Sequence, residues 1–361
     1  MIAGFDSPLP PARSGVAEYA ASLMQAMRKS GEIVTYPQRA DCWLYHVGNN
    51  REHHAAIYQR ALSHPGVVVL HDAVLMHLLL GTLDEAQFVE EYVYNYGRWH
   101  EAQARRLWEE RARSGASQEY YRHPMLRRLC ESARAVVVHN PRAAELVAQH
   151  AGGARVVEIP HFAPDATVPA DRVEEWRKRC GFAPGTYVFG LFGHLRDSKR
   201  VLPALRAFQA LGEGVGLVVA GRFQSPALAE AARPFIESPA VRTFDYLEDE
   251  SDLRALIAMV DCGLSLRWPS AGETSAITLR LMAAAKPVIV TKAPEVSRFP
   301  DGLCVAVETG PVEEPVLVES MNWLKTDRAA GRRMGAIARE WLARHHSLND
   351  VAAEYWKVLR S

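Results

Sequence analysis

The chain has 361 residues, a length that fits two domains better than one. Hydrophobic residues make up 48% of it and charged residues 23%, a globular composition that excludes a disordered chain. Lys plus Arg and Asp plus Glu number 42 each, so no whole-molecule charge attracts nucleic acid, and we expect no nucleic-acid partner.

Cysteine usage and hydropathy give no sign of export or membrane insertion. The five cysteines, Cys42, Cys130, Cys180, Cys262 and Cys304, are too scattered for a disulfide framework or a zinc site. No run of 18 apolar residues occurs, and no basic segment precedes an apolar run at the N-terminus. We therefore expect a cytoplasmic protein, with peripheral attachment at the inner membrane face left open.

Short apolar runs alternate with amphipathic helical stretches along the whole chain. The runs are "MIAGF", "CWLYHV", "GVVVLHD" and "RAVVVHN", then "YVFGLFGH", "GLVVAGR", "CGLSLRW" and "PVIVTK". Such runs, flanked by Gly, His, Asn or Pro, predict buried parallel strands covered by helices on both faces. The predicted fold class is α/β, with two doubly wound Rossmann-like domains facing a central cleft.

Three prolines in "IPHFAPDATVPADRVEEW" place a domain boundary near residue 165. We predict an N-terminal domain over 1–165 with a helical insertion over 75–133, and a second domain over 166–340. The aromatic residues of 341–361 predict a C-terminal helix that packs back across the two domains.

Residues 98–134 form a basic, aromatic part of the insertion. They hold nine Arg against five Glu, interleaved with Trp and Tyr. This pattern indicates either contact with an anionic membrane surface or an acidic acceptor, or a solvated helical subdomain with its aromatic side chains inside.

Candidate functional residues of the first half follow predicted strands, where ligands bind in open α/β sheets. Gly15 opens a helix after a Pro-rich loop, which predicts either an anion site at the helix N-terminus or an ordinary cap. His71 and Asp72 end a buried strand, and an imidazole there can hydrogen-bond a hydroxyl group. His139 and Asn140 have the same placement, but a plain helix start explains them.

The segment "FGLFGHLRDSKR" concentrates positive charge after a strand. Gly193 is followed by His194, Arg196, Lys199 and Arg200. Cationic donors at such a turn suit a diphosphate. The alternative is a solvated helix start, but cations oppose the dipole at a helix N-terminus, which favours a bound anion.

The segment "RWPSAGETSAITLRLMAAAKPVIV" predicts strand, loop, helix and strand. Gly272 and Glu273 lie at the turn before the helix. Glu273 either gains ~0.3–1 kcal/mol from the helix dipole or accepts hydrogen bonds from sugar hydroxyls. The amides of Thr274, Ser275 and Ala276 are candidates for holding phosphate oxygens, and Thr274 or Ser275 is also a candidate cap.

In order and spacing, these segments resemble the retaining glycosyltransferases of the GT-B fold, family 4. The likeness covers nearly the whole chain and includes "IPHFAP", Gly-x5-Lys, "VVAGR", "DYLEDESDLRALIAMVDCGLSL" and "PSAGETSAITLRLMAAAKPVIV". It implies a nucleotide diphosphate sugar as co-substrate in the C-terminal domain, with no other cofactor and no metal. It also implies a glycan, lipid-linked or small-molecule acceptor on the N-terminal domain.

The resemblance assigns roles to single residues. Lys199, assisted by Arg196, would neutralise the leaving diphosphate, and Glu273 matches the first glutamate of the Glu-x7-Glu motif, which holds the donor sugar. His71 would lie beside that sugar, and Gly15 would let its loop close on the phosphates. The leaving phosphate itself would take the acceptor proton, so no protein base is expected.

Two positions depart from the family pattern, and one of them is His194, which stands directly after Gly193 where the family usually has an arginine. Arg280 stands where the second glutamate would bind the nucleotide ribose, one residue too close to Glu273. A guanidinium cannot accept hydrogen bonds, so Arg280 either points at phosphate or pairs with a carboxylate inside the protein. Two alternatives stay open: a sugar-nucleotide epimerase of the same fold, and a non-catalytic sugar-nucleotide-binding protein, which the missing second glutamate makes conceivable.

Overall fold

The computed structural model describes residues 1–12, 14–245, 247 and 249–361. Arg13 of the first predicted loop, and Tyr246 and Glu248 of the segment "DYLEDES", lie outside the described residues. The contacts divide the chain into two compact units. Unit 1 comprises Met1–Phe162, Pro269–Thr274 and His346–Ser361, and unit 2 comprises Ala163–Trp268 and Ser275–His345. The division at residues 165 and 340 stays a prediction about folding domains.

Unit 1 contains a parallel sheet. Its strands are β1 (Ala3–Asp6), β2 (Ile33–Thr35), β3 (Cys42–Val47), β4 (Val67–Leu70), β5 (Ala135–Val138) and β6 (Val156–Glu158). Its helices before residue 163 are α1 (Gly15–Met27), α2 (Arg51–Ser63), α3 (Met76–Thr82), α4 (Glu85–Tyr96), α5 (Glu101–Glu109), α6 (Arg127–Ser132) and α7 (Pro141–His150). Within the described residues the strand order is β2-β1-β3-β4-β5-β6, and every pairing is parallel.

Unit 2 contains a second parallel sheet. Its strands are β7 (Tyr187–Phe192), β8 (Val215–Ala220), β9 (Val241–Phe244), β10 (Cys262–Ser265), β11 (Val288–Thr291) and β12 (Val305–Val307). Its helices are α8 (Ala170–Cys180), α9 (Val201–Gln209), α10 (Pro226–Ile236), α11 (Glu250–Met259), α12 (Ala276–Ala283), α13 (Glu313–Thr326) and α14 (Arg328–His345). Over the described part of the chain the order is β12-β11-β10-β7-β8-β9, again with parallel pairs. The predicted α/β fold with two parallel sheets is confirmed.

The described residues also include short 3₁₀ turns. Residues Arg98–His100, Arg111–Arg113, Gln118–Arg122, Asp197–Lys199 and Pro294–Val296 form 3₁₀ turns. Among the helices that the structure describes, none combines the length and apolarity needed to cross a bilayer.

The central strands are apolar at successive positions because both faces of each sheet are covered. In β4, Val67 and Val69 belong to one hydrophobic cluster, whereas Val68 and Leu70 belong to another. Since side chains alternate between the two faces of a strand, a sheet with helices on both sides needs apolar residues at every position.

The last helix, α15 (Leu348–Arg360), belongs to unit 1 and packs on α1. The Tyr355 hydroxyl lies 2.9 Å from the Tyr19 hydroxyl, and Nε1 of Trp356 donates to the Met27 carbonyl at 3.0 Å. The Trp356 ring also packs on Gly31, where a Cβ atom would lie 2.5 Å from a ring carbon. A side chain at residue 31 is therefore incompatible with this packing.

We predict that Gly31→Ala destabilises the protein because its new methyl group would displace the Trp356 ring. Overpacking of this kind costs about 1–3 kcal/mol, which urea unfolding can measure. Gly153→Ala is the matched control, because nothing lies within 4 Å of the position its Cβ atom would take. Equal stability of the two variants would contradict the described packing of α15.

Candidate functional site

Polar residues that follow β3 and β4 hold each other in place at the carboxyl edge of the unit 1 sheet. The backbone N–H of Asn49 donates to Oδ2 of Asp72 at 2.7 Å, and Nδ2 of Asn49 donates to the Val74 carbonyl at 2.7 Å. The backbone N–H of His71 donates to the Val47 carbonyl at 2.9 Å. The loop that carries the predicted residue His71 is therefore fixed by the neighbouring loop.

The His71 imidazole lies in a cluster of aromatic rings. Its Nε2 lies 2.9 Å from Nδ1 of His46, and its ring centroid lies 5.3 Å from that of His139 and 5.2 Å from that of Tyr19. Burial lowers the pKa of His46 and of His71 well below the ordinary value, and it lowers the pKa of His139 to about 4. His71 is therefore neutral at pH 7 and can form hydrogen bonds without carrying a charge.

The described residues offer no metal centre in either unit. Among them, no group of three or more His, Cys, Asp or Glu side chains is arranged to hold a metal ion.

Residues 269–274 lie in the connection between β10 and α12 and belong to unit 1. The backbone N–H of Ala73 donates to the Ala271 carbonyl at 2.7 Å. Nδ2 of Asn140 donates to the Gly272 carbonyl and to Oγ1 of Thr274, at 3.0 Å each, while its Oδ1 caps α7. Gly272 has φ +76°, and a Cβ atom there would lie 2.9 Å from Cβ of Ala73. Asn140 thus anchors this turn as well as starting a helix, a role that its local sequence did not reveal.

Glu273 folds back on its own turn. Its Oε2 accepts hydrogen bonds from Oγ of Ser270 at 3.0 Å and from the backbone N–H of Ala271 at 2.8 Å. Helix α12 begins at Ala276, and Ser275 is its N-cap, with Oγ accepting from the Thr278 N–H at 3.3 Å. Ser275, rather than Thr274, is therefore the cap, and the Glu273 carboxylate is oriented by turn contacts.

In unit 2, hydroxyl groups join the end of β10 to the start of α12. Oγ1 of Thr278 donates to Oγ of Ser265 at 2.8 Å, and Oγ of Ser265 lies 3.0 Å from Oγ of Ser275. These contacts fix the helix N-terminus, where the predicted residues Ser275 and Ala276 lie, at the carboxyl end of the sheet.

Because Gly193 has no side chain, it leaves room for the ammonium group of Lys199 close to this helix start. Gly193 has φ +89°, and a Cβ atom there would lie 2.8 Å from Nζ of Lys199 and 3.7 Å from Cγ1 of Ile277 in the first turn of α12. Nζ of Lys199 also donates to the Phe192 carbonyl at 3.4 Å. Because an ammonium group and a helix N-terminus both attract anions, this arrangement is a candidate phosphate site.

The other basic residues of this turn fall into two groups. Nε of Arg200 donates to Oε1 of the buried Glu313 at 2.9 Å, and Nη2 of the same guanidinium donates to Oε2, so Arg200 has a structural role. Arg196 and His194 each keep part of their surface exposed to solvent. Desolvation, together with repulsion from Lys199, Arg196 and Arg222, lowers the pKa of His194.

Arg280 pairs with a carboxylate. Its Nη1 donates to Oε1 of Glu250, the first residue of α11, at 2.7 Å. The sequence left two alternatives for Arg280, contact with phosphate or pairing with a carboxylate inside the protein. The structure shows the pairing.

Gly15 is the first residue of α1, which Ser14 caps by accepting from the Val16 N–H at 3.2 Å. Nothing lies within 4 Å of the position that a Cβ atom of residue 15 would take. Packing within unit 1 therefore does not require glycine there.

The structure brings the predicted residues together in two sets. Unit 2 groups Gly193, Lys199, Ser275 and Ala276. Unit 1 contains the turn formed by Gly272, Glu273 and Thr274. The Ala271 carbonyl beside this turn accepts a hydrogen bond from Ala73, in the loop after His71. Sequence reasoning missed the supporting residues, namely His46, Asn49, Asn140 in its second role, Glu250 and Ser265. For Asn49 and Ser265 a signal existed, because each stands at or just after the end of an apolar run.

We predict that Lys199→Met raises the pKa of His194 toward its ordinary value, because one of the repelling charges is removed. NMR titration of the two proteins measures this change. Lys292→Met is the control, since the exposed Lys292 of the same unit pairs with Glu308 at 2.8 Å and does not act on His194. No difference between wild type and Lys199→Met would contradict the described position of the ammonium group.

Sequence comparison finds no matching family model and no matching curated protein. Structure comparison finds similar folds over the whole chain. HepE of Anabaena, in complex with UDP and glucose, is 14% identical, with a TM-score of 0.65 over 99% of each chain. WaaG, a glycosyltransferase involved in lipopolysaccharide biosynthesis, is 16% identical, with a TM-score of 0.65 over 99% of each chain. Sucrose-phosphate synthase from Thermosynechococcus elongatus is 14% identical, with a TM-score of 0.65 over 99% of this chain and 98% of the other. The chain has the fold of the GT-B glycosyltransferases.

Proposed function

We propose that the chain is a retaining, metal-independent glycosyltransferase of family 4 that takes its sugar from a nucleotide diphosphate sugar. The observation that carries this proposal is the grouping of the Lys199 ammonium and the N-terminus of α12 around Gly193. This grouping lies at the carboxyl ends of β7 and β10, which are neighbours in the sheet. The similar protein HepE forms complexes with UDP and with UDP-glucose, which supports a nucleotide-sugar donor.

The proposed donor contacts in unit 2 act on the leaving group. As the glycosidic bond breaks, negative charge grows on the diphosphate. Lys199 and the amides of Ser275 and Ala276 are held in place before the reaction, so they stabilise that charge without reorganisation, and one such donor is worth ~3 kcal/mol. The exposed Arg196 adds a further positive charge at the same turn.

The proposed contacts in unit 1 act on the sugar. The Glu273 carboxylate, held by Ser270 and Ala271, accepts hydrogen bonds from sugar hydroxyls, and the neutral His71 lies beside the ring. Retention follows if the acceptor attacks from the side of the departing phosphate, which takes the acceptor proton. Arg280 is left out of the donor contacts, because Glu250 compensates its charge.

We further propose a glycan or lipid-linked acceptor and a peripheral membrane contact through residues 98–134. Trp99 is 98% exposed in this region, where nine Arg stand against five Glu. Some of these arginines pair locally, as Arg105 does with Glu101 at 2.9 Å, but the excess of positive charge remains. An exposed indole beside cationic side chains suits an anionic lipid surface.

We predict that one of UDP, GDP, ADP, TDP or CMP raises the melting temperature of the protein, with or without EDTA. Lys199→Ala should abolish this shift, while the variant without ligand stays folded. A ligand at 100 times its Kd stabilises by about 2.7 kcal/mol. With the matching sugar nucleotide, Lys199→Ala should lose about 100-fold or more in turnover. Lys292→Ala is the control, and an unchanged shift in Lys199→Ala would contradict the diphosphate role.

The same assay separates the alternatives. Isomerisation of the sugar nucleotide without an acceptor would indicate an epimerase, whereas binding without any turnover would indicate a non-catalytic sugar-nucleotide-binding protein.

We predict that Glu273→Gln lowers turnover by roughly ten- to a hundredfold, because the hydrogen bonds to the sugar lose their charged acceptor. The amide oxygen still accepts from Ser270 and Ala271, so the melting temperature should fall by less than about 2 °C. Thermal unfolding and turnover are measured on the same preparation. A large fall in melting temperature with normal turnover would show that Glu273 serves the turn alone.

A further inference from the structure

The pair formed by His46 and His71 shares a single proton between two ring nitrogens. Nδ1 of His46 lies 2.9 Å from Nε2 of His71, so one of these atoms donates and the other accepts. His46 lies on β3 and is fully buried, whereas His71 follows β4 and is partly buried. The direction of this bond decides which nitrogen of His71 carries its proton.

The second nitrogen of His46 distinguishes the two directions. Nε2 of His46 is buried and has no hydrogen-bond partner among the described residues. If His71 donated, Nε2 of His46 would carry a buried N–H without an acceptor. If His46 donates, Nε2 is only a lone pair without a donor. Orphaned buried N–H groups are the rarer of the two, so donation from His46 is favoured.

The surrounding histidines follow the same pattern. Nδ1 of His139 donates to the Ile159 carbonyl at 2.9 Å and leaves its own Nε2 as a buried lone pair. Nδ1 of His54 donates to the His46 carbonyl at 2.9 Å. Because a carbonyl only accepts, both rings carry the proton on Nδ1. The Tyr19 hydroxyl bonds the Tyr355 hydroxyl at 2.9 Å, and Tyr19 meets His71 only through a ring contact.

We infer that His46 is a positioning residue that holds His71 in the tautomer with its proton on Nδ1, so that His71 donates a hydrogen bond to an oxygen of the donor substrate. Nε2 of His71 is occupied by His46, and no described residue bonds Nδ1, which leaves that N–H for a ligand. The tautomer follows from the structure alone, whereas the substrate contact rests on the proposed function.

The experiment is long-range ¹H–¹⁵N NMR of the full chain labelled with ¹⁵N-histidine, without substrate, with His71 assigned by its loss in His71→Phe. We expect a proton on Nδ1 of His71 in the wild type. His46→Leu removes the donor and should shift His71 toward the Nε2–H form. His46→Asn keeps an N–H near the position of Nδ1 and should restore the wild-type signal. His139→Leu is the control, because His139 contacts the His71 ring without bonding to it.

Turnover of a sugar nucleotide provides the second readout. His46→Leu should lower kcat about tenfold, the loss of one oriented hydrogen bond, and His46→Asn should recover most of it. A proton on Nε2 of His71 in the wild-type protein would overturn the inference. An unchanged His71 signal in His46→Leu would overturn it as well. A protein that shows the expected signals but turns over no sugar nucleotide would contradict the proposed function and leave the role of His46 intact.

Discussion

The direction of the strands is the constraint on which the rest of this structure depends. Because every pairing between the strands that the structure describes is parallel, successive strands of a sheet must be joined by crossovers that return the chain to the starting edge. All carboxyl ends therefore meet at one edge of each sheet, and the loops that leave them become neighbours. In unit 1 this edge gathers Asn49, His71 and Asn140, and in unit 2 it gathers Gly193 and Ser265. Residues far apart in the sequence thus reach hydrogen-bonding distance.

The part of the fold that could be predicted from the sequence follows from burial. The eight apolar runs recognised in the sequence correspond to β1, β3, β4, β5, β7, β8, β10 and β11. The strands that sequence reasoning did not find, β2, β6, β9 and β12, lie at the edges of the two sheets. An edge strand has a neighbour on one side only, and these strands are short and partly exposed, so they lack a continuous apolar run. A continuous apolar run indicates a strand buried on both faces, so this signal does not identify the edge strands of a sheet.

The candidate site was predictable to the extent that its chemistry is local. Lys199 and Arg200 look equivalent in the sequence, yet Arg200 pairs with Glu313, which lies 113 residues further on. Asn140 looks like a plain helix start, yet it holds Gly272, which lies 132 residues away. In both cases the partner decides the role, and a local pattern contains no information about a partner brought in by the fold. The same reason explains why Arg280 could be recognised as unusual but not matched to Glu250.

The two units differ in the electrostatics that they would offer to the proposed reaction. Unit 2 supplies an ammonium group and a helix N-terminus, which favour the negative charge that develops on a departing diphosphate. Unit 1 supplies a carboxylate, Glu273, and the imidazole of His71, which burial keeps neutral. In an oxocarbenium-like transition state the sugar ring becomes positive, so a protonated His71 beside it would oppose the reaction. In the proposed site, the low pKa of His46 and His71 would let the cluster orient a hydrogen bond next to the sugar without adding a cation there.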